Sequence, residues 1–186
     1  MPRIAPIDPD TATGKTKELL DGVQAAIGAT PNLFRTIAQA PSVLDAYLAH
    51  SKAVSSGTLS NAVREQIALV IAGANHCDYC ASAHTLIGRG AGVADAELAA
   101  NLKGHSSDPH TQALLSLAQA IVAKRGFVSD TELADARLAG ITEGEIIEVV
   151  GEVARNIFTN YLNHVAQTDV DFPYVSAGEA EAAAAA

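Results

Sequence analysis

Glu65 to His84 reads EQIALVIAGANHCDYCASAH and contains both cysteines of the chain, Cys77 and Cys80, in a Cys-x-x-Cys pair. His84 follows the second cysteine by four residues, and Glu65 precedes the first by twelve. The run VREQIALVIAGA is apolar and helix-prone, and Gly73, Asn75 and Asp78 punctuate it just before the thiols. This predicts one helix, a short bend, and a second helix starting near Cys77. Residues three and four apart on a helix share a face, so Cys77, Cys80 and His84 are expected to line one stripe.

A helix N-terminus carries about half a positive charge and free N–H groups, both of which favour thiolate over thiol. One helical turn also separates Cα atoms by roughly the 5 to 6 Å that a disulfide requires. Such a bond closes a loop of only four residues and contributes roughly 2 kcal/mol before strain, which makes it a poor structural staple. The pattern is placed for redox chemistry. A thiolate that cleaves a peroxide O–O bond becomes a sulfenic acid, and a neighbouring thiol rescues it as a disulfide. His84, one turn from Cys80, is placed to act as base, and Glu65 to fix its tautomer. Helix-dipole reasoning alone favours Cys77 as the activated thiol.

The wider sequence narrows the classes. A chain of 186 residues is expected to form one domain with its own core. Nearly half the residues are hydrophobic, yet tryptophan is absent and aromatics are few. The core must therefore come from Ala, Leu, Val and Ile, which suits close-packed helices. A formal charge of -9, without clustered Lys or Arg, argues against nucleic acid and anionic membrane surfaces as partners. No leader-like segment and no long apolar run stands out, so a cytoplasmic location is expected. There a cysteine pair is redox-active or metal-binding more often than structural.

The chain reads as all-α. Met1 to Thr13, with three prolines, is expected to be an extended arm. Helices are expected over Lys15 to Ile27 and from Pro31 through Ile37, and another capped by Ser42. Ser60 caps the helix that carries Glu65. The helix after the cysteines ends in the cluster Gly88, Gly90 and Gly92, and Asp95 to Leu102 forms a short one. Asp108, Ser129 and Thr142 cap the last three, the final one reaching about Val165. Residues 65–84 also echo 145–164 at an offset of 80, with Glu65 on Glu145 and His84 on His164. That hints at two similar halves. A single domain over 1–175 is expected, followed by a low-complexity tail over 176–186 that is frayed or disordered.

The spacing of Glu65, Cys77, Tyr79, Cys80 and His84 resembles the AhpD-like alkylhydroperoxidases within the carboxymuconolactone decarboxylase superfamily. PNLFRTIAQAPSVLDAYL and NIFTNYLNHVAQTDVDFP, at the two ends of the chain, look like its peroxidase-related branch. The resemblance implies an AhpD-like helical bundle of two similar halves that assembles as a homo-oligomer, a trimer or hexamer. It implies reduction of organic hydroperoxides, with Cys80 as peroxidatic thiol and Cys77 resolving. His84 would draw off the proton and Glu65 support it. Members are re-reduced by a lipoyl-type partner, and here the reductant is a thiol or lipoyl-type donor of unspecified identity. No cofactor is expected. Family members place a second relay histidine between the cysteines, where this chain has Tyr79, a poor base at neutral pH. His76 or His164 could stand in, and Asn160 and His164 are further residues expected to line the site.

Three other readings compete. Two cysteines, a histidine and a glutamate can make a zinc site. The superfamily includes lactone decarboxylases, which generally lack the thiol pair. A non-enzymatic helical oligomer could use the thiols only to sense redox state. Individually, each residue also has a plainer role: Tyr79 as packing, His84 as a satisfied core histidine, Glu65 as a solvated helix residue, His76 as surface.

Overall fold

Residues 1–178 are described by a computed structural model, and among them every regular element is a helix. In chain order these are α1 (Gly14–Ile27), α2 (Asn32–Ile37), α3 (Pro41–Val54), α4 (Asn61–Ala74), α5 (Asp78–Gly90), α6 (Asp95–Asn101), α7 (Pro109–Lys124), α8 (Asp130–Leu138) and α9 (Glu143–Ala166). Four of the caps expected from sequence accept the backbone N–H that an N-cap should: Ser60 from Val63, Asp108 from Thr111, Ser129 from Glu132 and Thr142 from Glu145. At Ser129 and Thr142 the glutamate three residues on returns the bond, completing a capping box. Ser42 is not a cap. α3 starts one residue earlier, at Pro41, whose fixed φ suits the first helical position.

Helix α4 is the centre of the molecule because it is apolar nearly all round, and Gln66 through Ala72 are all buried. One side joins α7, α8 and α9 in a core that includes Ile67, Ile71, Leu114, Leu115 and Val149. Its other side meets a second core of Leu20, Ile37, Leu44 and Ala72, and both cysteines sit in that layer. Gly73 does not break the helix as its position near the bend suggests. It lies within α4, where a Cβ would land on the carbonyl oxygen of Leu102. Glycine is needed there for close approach of α4 to the end of α6.

The echo at offset 80 is not a repeat of conformation in that register. Residues 65–84 turn a corner between α4 and α5, whereas 145–164 run straight along α9. At 1.5 Å per residue, Glu145 and His164 are roughly 28 Å apart along the helix. Glu145 is the capping-box partner of Thr142.

The N-terminal arm and the segment after α9 up to Ala177 both pack over the second core. The N-terminal arm is not extended throughout, since the Thr11 and Ala12 N–H groups donate to Asp8 O in a turn, and it is docked: Ile7 N–H donates to Arg35 O at 3.0 Å, and Arg35 Nε donates to Ile7 O at 2.8 Å. After α9, Asp171 accepts the Asn32 N–H at the start of α2 at 2.7 Å. Packing continues past Val175, because Ala177 is buried and its N–H donates to Asp78 Oδ1 at 2.8 Å. The rest of the expected low-complexity tail, 179–186, lies outside the described residues.

Candidate functional site

The corner between α4 and α5 is built by backbone chemistry. His76 takes a left-handed conformation, φ 52°, its N–H donates to Gly73 O, and the Cys77 N–H donates to Ala72 O at 2.9 Å. This six-to-one and five-to-two pairing is a Schellman motif, which usually places glycine where His76 stands. It turns the chain sharply enough that Cys77 becomes the N-cap of α5, with Cys80 one turn inside.

Both thiols are free and buried, at 1% and 2% exposure. Asn163 Nδ2, from α9, lies 3.4 Å from Cys80 Sγ and 4.0 Å from Cys77 Sγ. Cys80 Sγ also lies 4.0 Å from Thr159 Oγ1. The pair is polarised. The Cys77 S–H bonded to Cys80 lowers the Cys80 thiol to about 6 against the cost of burial, helped by the charge of His84 and by the amides of Asn163 and Asn160. Holding the shared proton, Cys77 is pushed up, and burial pushes it further. Two local features count against the dipole argument for Cys77: its sulfur caps none of the free N–H groups, and Asp78 places a carboxylate in the first turn.

Glu65 and His84 meet across the α4–α5 hairpin, Oε2 to Nδ1 at 2.7 Å. Burial is the largest single influence and disfavours both charges, but the partner's charge and the hydrogen bond between them together outweigh it, leaving Glu65 lowered and His84 raised. Gly88, one turn beyond His84, packs against α6, where a Cβ would strike Leu98 Cδ2. His84 acts on Cys80 through its charge. The hydrogen-bond partners of that sulfur are Cys77, Asn163, Asn160 and Thr159, so the direct histidine-to-thiol contact suggested by helical spacing is replaced by an electrostatic one.

The other expected residues divide. Asn160 is fully buried and accepts from Asn75 Nδ2 at 2.9 Å, beside the cysteine pair. Tyr79 is a packing residue: its hydroxyl accepts the Leu33 N–H at 3.0 Å, its ring meets Phe172 edge-on, and burial pushes its phenol up. His76 and His164 are exposed and line a depression together with Cys77. Among the described residues no three His, Cys, Asp or Glu side chains are arranged to hold a metal ion, and Glu65 and His84 are bonded to each other, which argues against the zinc reading.

Two groups were not singled out from sequence. One is Asn163 with Thr159. The signal was a polar stripe within an apolar helix, Asn156, Asn160 and Asn163, recurring at helical spacing. The other is the buried ion cluster behind the site, where Glu152 accepts from Arg64 Nε at 2.7 Å and Arg155 Nε at 2.9 Å. Both arginines help to hold Glu65 ionised.

The chain thus combines an all-helical fold with a buried Cys-x-x-Cys at a helix start, backed by a Glu–His pair. Residues 41–106, which carry both cysteines, Glu65 and His84, match the carboxymuconolactone decarboxylase family. An AhpD-core peroxidase-related protein from Ralstonia eutropha JMP134 superposes with a TM-score of 0.80 at 22% identity, over 91% of this chain and 92% of that one. A peroxidase-related protein from Silicibacter sp. TM1040 gives 0.75 at 18% identity, over 89% and 91%. The debrominase Bmp8, in a cysteine-to-alanine variant bound to 2,3,4-tribromopyrrole, gives 0.77 at 18%, over 90% and 91%. No curated protein matches the sequence significantly. The family match is confined to residues 41–106, and over the whole chain the likeness to the AhpD-like structures is one of fold.

Proposed function

We propose that the chain reduces organic hydroperoxides in the cytoplasm through Cys80 and Cys77. The observation that carries this reading is the polarisation of the pair: a buried sulfur held as thiolate near neutral pH by Cys77, His84 and Asn163. The Cys80 thiolate attacks the peroxide, the O–O bond breaks, and the sulfur becomes a sulfenic acid while an alkoxide leaves and takes a proton to give the alcohol. The Cys77 thiol then displaces hydroxide from that sulfenic acid, its proton completing a water molecule, and the disulfide forms. His84, kept charged by Glu65, stabilises the attacking thiolate through its charge. An external thiol or lipoyl-type donor restores the dithiol.

Turnover of cumene or tert-butyl hydroperoxide with dithiothreitol tests the reading. Activity abolished in Cys80→Ser is expected, and wild-type protein whose thiols survive excess peroxide unoxidised would overturn it. The Bmp8 likeness makes a brominated pyrrole the comparison substrate: bromide release without peroxide turnover would redirect the same thiol pair to a carbon–halogen bond.

The reading includes a homo-oligomer. Ile147, Val150, Tyr161 and Val165 leave an exposed apolar stripe along α9, which a second copy would cover. Light scattering should give a multiple of 19.1 kDa.

A further inference from the structure

Between α3 and α9 lies a cleft of ≈ 260 Å³ to which the thiol chemistry assigns no role. Its walls are apolar, with Val43, Ala154 and Phe158 and the Tyr47 ring set against Phe158 at 5.6 Å. Tyr47 and Phe158 also pack against the core layer that contains both cysteines. Arg155 and His50 belong to the lining, and no acidic side chain does. On a chain of net charge -9, that local balance runs against the average.

Arg155 has donors to spare. Its Nε donates to Glu152 Oε2 at 2.9 Å, while Nη2, 2.6 Å from the same oxygen, is buried without an aligned hydrogen bond. A guanidinium carries five N–H groups, so most of this one's capacity is unmatched. Glu152 is itself shared, because Arg64 Nε donates to its other oxygen at 2.7 Å. Two largely buried arginines therefore divide one carboxylate, and Glu65 is held by His84. An unmatched buried donor costs free energy that an anionic acceptor recovers.

We propose that this cleft binds a small amphipathic organic acid, with its carboxylate on Arg155 and its apolar body between Val43, Tyr47 and Phe158. Charge selects the head, since a guanidinium matches a carboxylate in two-pronged geometry. Volume limits the body: 260 Å³ lies below the roughly 300 to 1,000 Å³ of drug-sized ligand sites, so the apolar part is an aryl group or a short acyl chain. The site is close to the thiol pair. Arg155 precedes Thr159 by one turn on the same face of α9, and Thr159 Oγ1 lies 4.0 Å from Cys80 Sγ. The inference is one of binding and holds whether or not the thiols turn over peroxide.

The test is equilibrium dialysis of the full chain, thiols reduced, against 4-phenylbutyrate and its neutral counterpart 4-phenylbutyramide. The acid is expected to bind at least about tenfold more tightly, as a hydrogen bond to a charged group allows. Arg155→Met keeps the stem and loses the charge, so it should abolish that preference, and Arg155→Lys should restore part of it. Equal affinity for acid and amide in wild type, or no retention of the acid, overturns the proposal. Because Arg155 also holds Glu152, a second variant leaves the ion cluster intact: Ala154→Phe fills the cleft from an exposed position on α9. It should weaken the acid by about tenfold or more. Undiminished binding in that variant overturns the location.

Discussion

Asn163 reaches across from α9 to hold its amide 3.4 Å from the sulfur of Cys80, a residue 83 positions earlier in the chain. A neutral amide donor favours the thiolate over the thiol without adding a competing base. Replacing it with leucine keeps the branched shape and removes the donor. Asn163→Leu is expected to raise the Cys80 midpoint by about one unit, since a hydrogen bond to a charged group contributes roughly 1.5 to 3 kcal/mol. The check is the pH dependence of iodoacetamide alkylation, which in wild type should have its midpoint near the value of about 6 that this environment produces. An unshifted profile in the variant would remove Asn163 from the site's chemistry.

The Glu65–His84 pair should behave as one unit. Glu65→Gln and His84→Gln are each expected to raise the Cys80 midpoint and slow peroxide reduction, and the double variant to be little worse than either. Multiplying effects would mean that the two act separately.

The same pair has a signature in stability. His84 is raised above 6.5, so its contribution is complete below that pH and is lost as pH rises through the folded value. Glu65 is lowered below 4.5, so its contribution is complete above that pH and is lost as pH falls through the folded value. The difference in Tm between wild type and Glu65→Gln should therefore be largest between pH 4.5 and 6.5 and shrink on both sides. A difference that is flat with pH would show that the pair is not ionised in the fold.

Glycine positions give a test of the packing. A methyl group at Gly73 meets the backbone of Leu102, which cannot rotate away, whereas at Gly88 it meets the movable end of a leucine side chain. Gly73→Ala is expected to cost about 1 to 3 kcal/mol in urea unfolding as an overpacked site. Gly88→Ala should cost less. Gly90, in the last turn of α5 with open space around it, should tolerate alanine or gain up to about 1 kcal/mol.

What could be read from sequence follows the range of the physics. Helix starts were legible at Ser60, Asp108, Ser129 and Thr142, because a cap acts over three residues. The meeting of Glu65 with His84 was legible in outline, since one short turn joins their helices and the spacing on each side is regular. Asn163 was not, because nothing local says that the far end of α9 returns to the start of α5. Gly73 was misread for the same reason: a contact with Leu102 is invisible at short range, and glycine near a bend looks like a terminator. His84 shows the limit of helical spacing. One turn from Cys80 is correct, yet its Nδ1 is bonded to Glu65, and that bond decides what the ring can do.

The division of labour between the thiols is the most direct test of the site. In Cys77→Ser, Cys80 keeps Asn163, His84 and a hydroxyl donor in place of the thiol, so one equivalent of peroxide should give a trappable sulfenic acid on Cys80. With no partner to close a disulfide, it should stall in turnover and drift to sulfinic acid under excess peroxide. Cys77→Ala removes the donor as well, so its alkylation midpoint should lie above that of the serine variant. In Cys80→Ser the fast first step should vanish. Cys77 alone retains the helix start but lies beside Asp78 and farther from the Asn163 amide, at 4.0 Å, and should oxidise slowly. Mass spectrometry after a stoichiometric peroxide pulse separates the two orders. Rapid sulfenic acid on Cys77 in Cys80→Ser, with none on Cys80 in Cys77→Ser, would make the helix terminus rather than the Cys77–His84–Asn163 environment the source of activation.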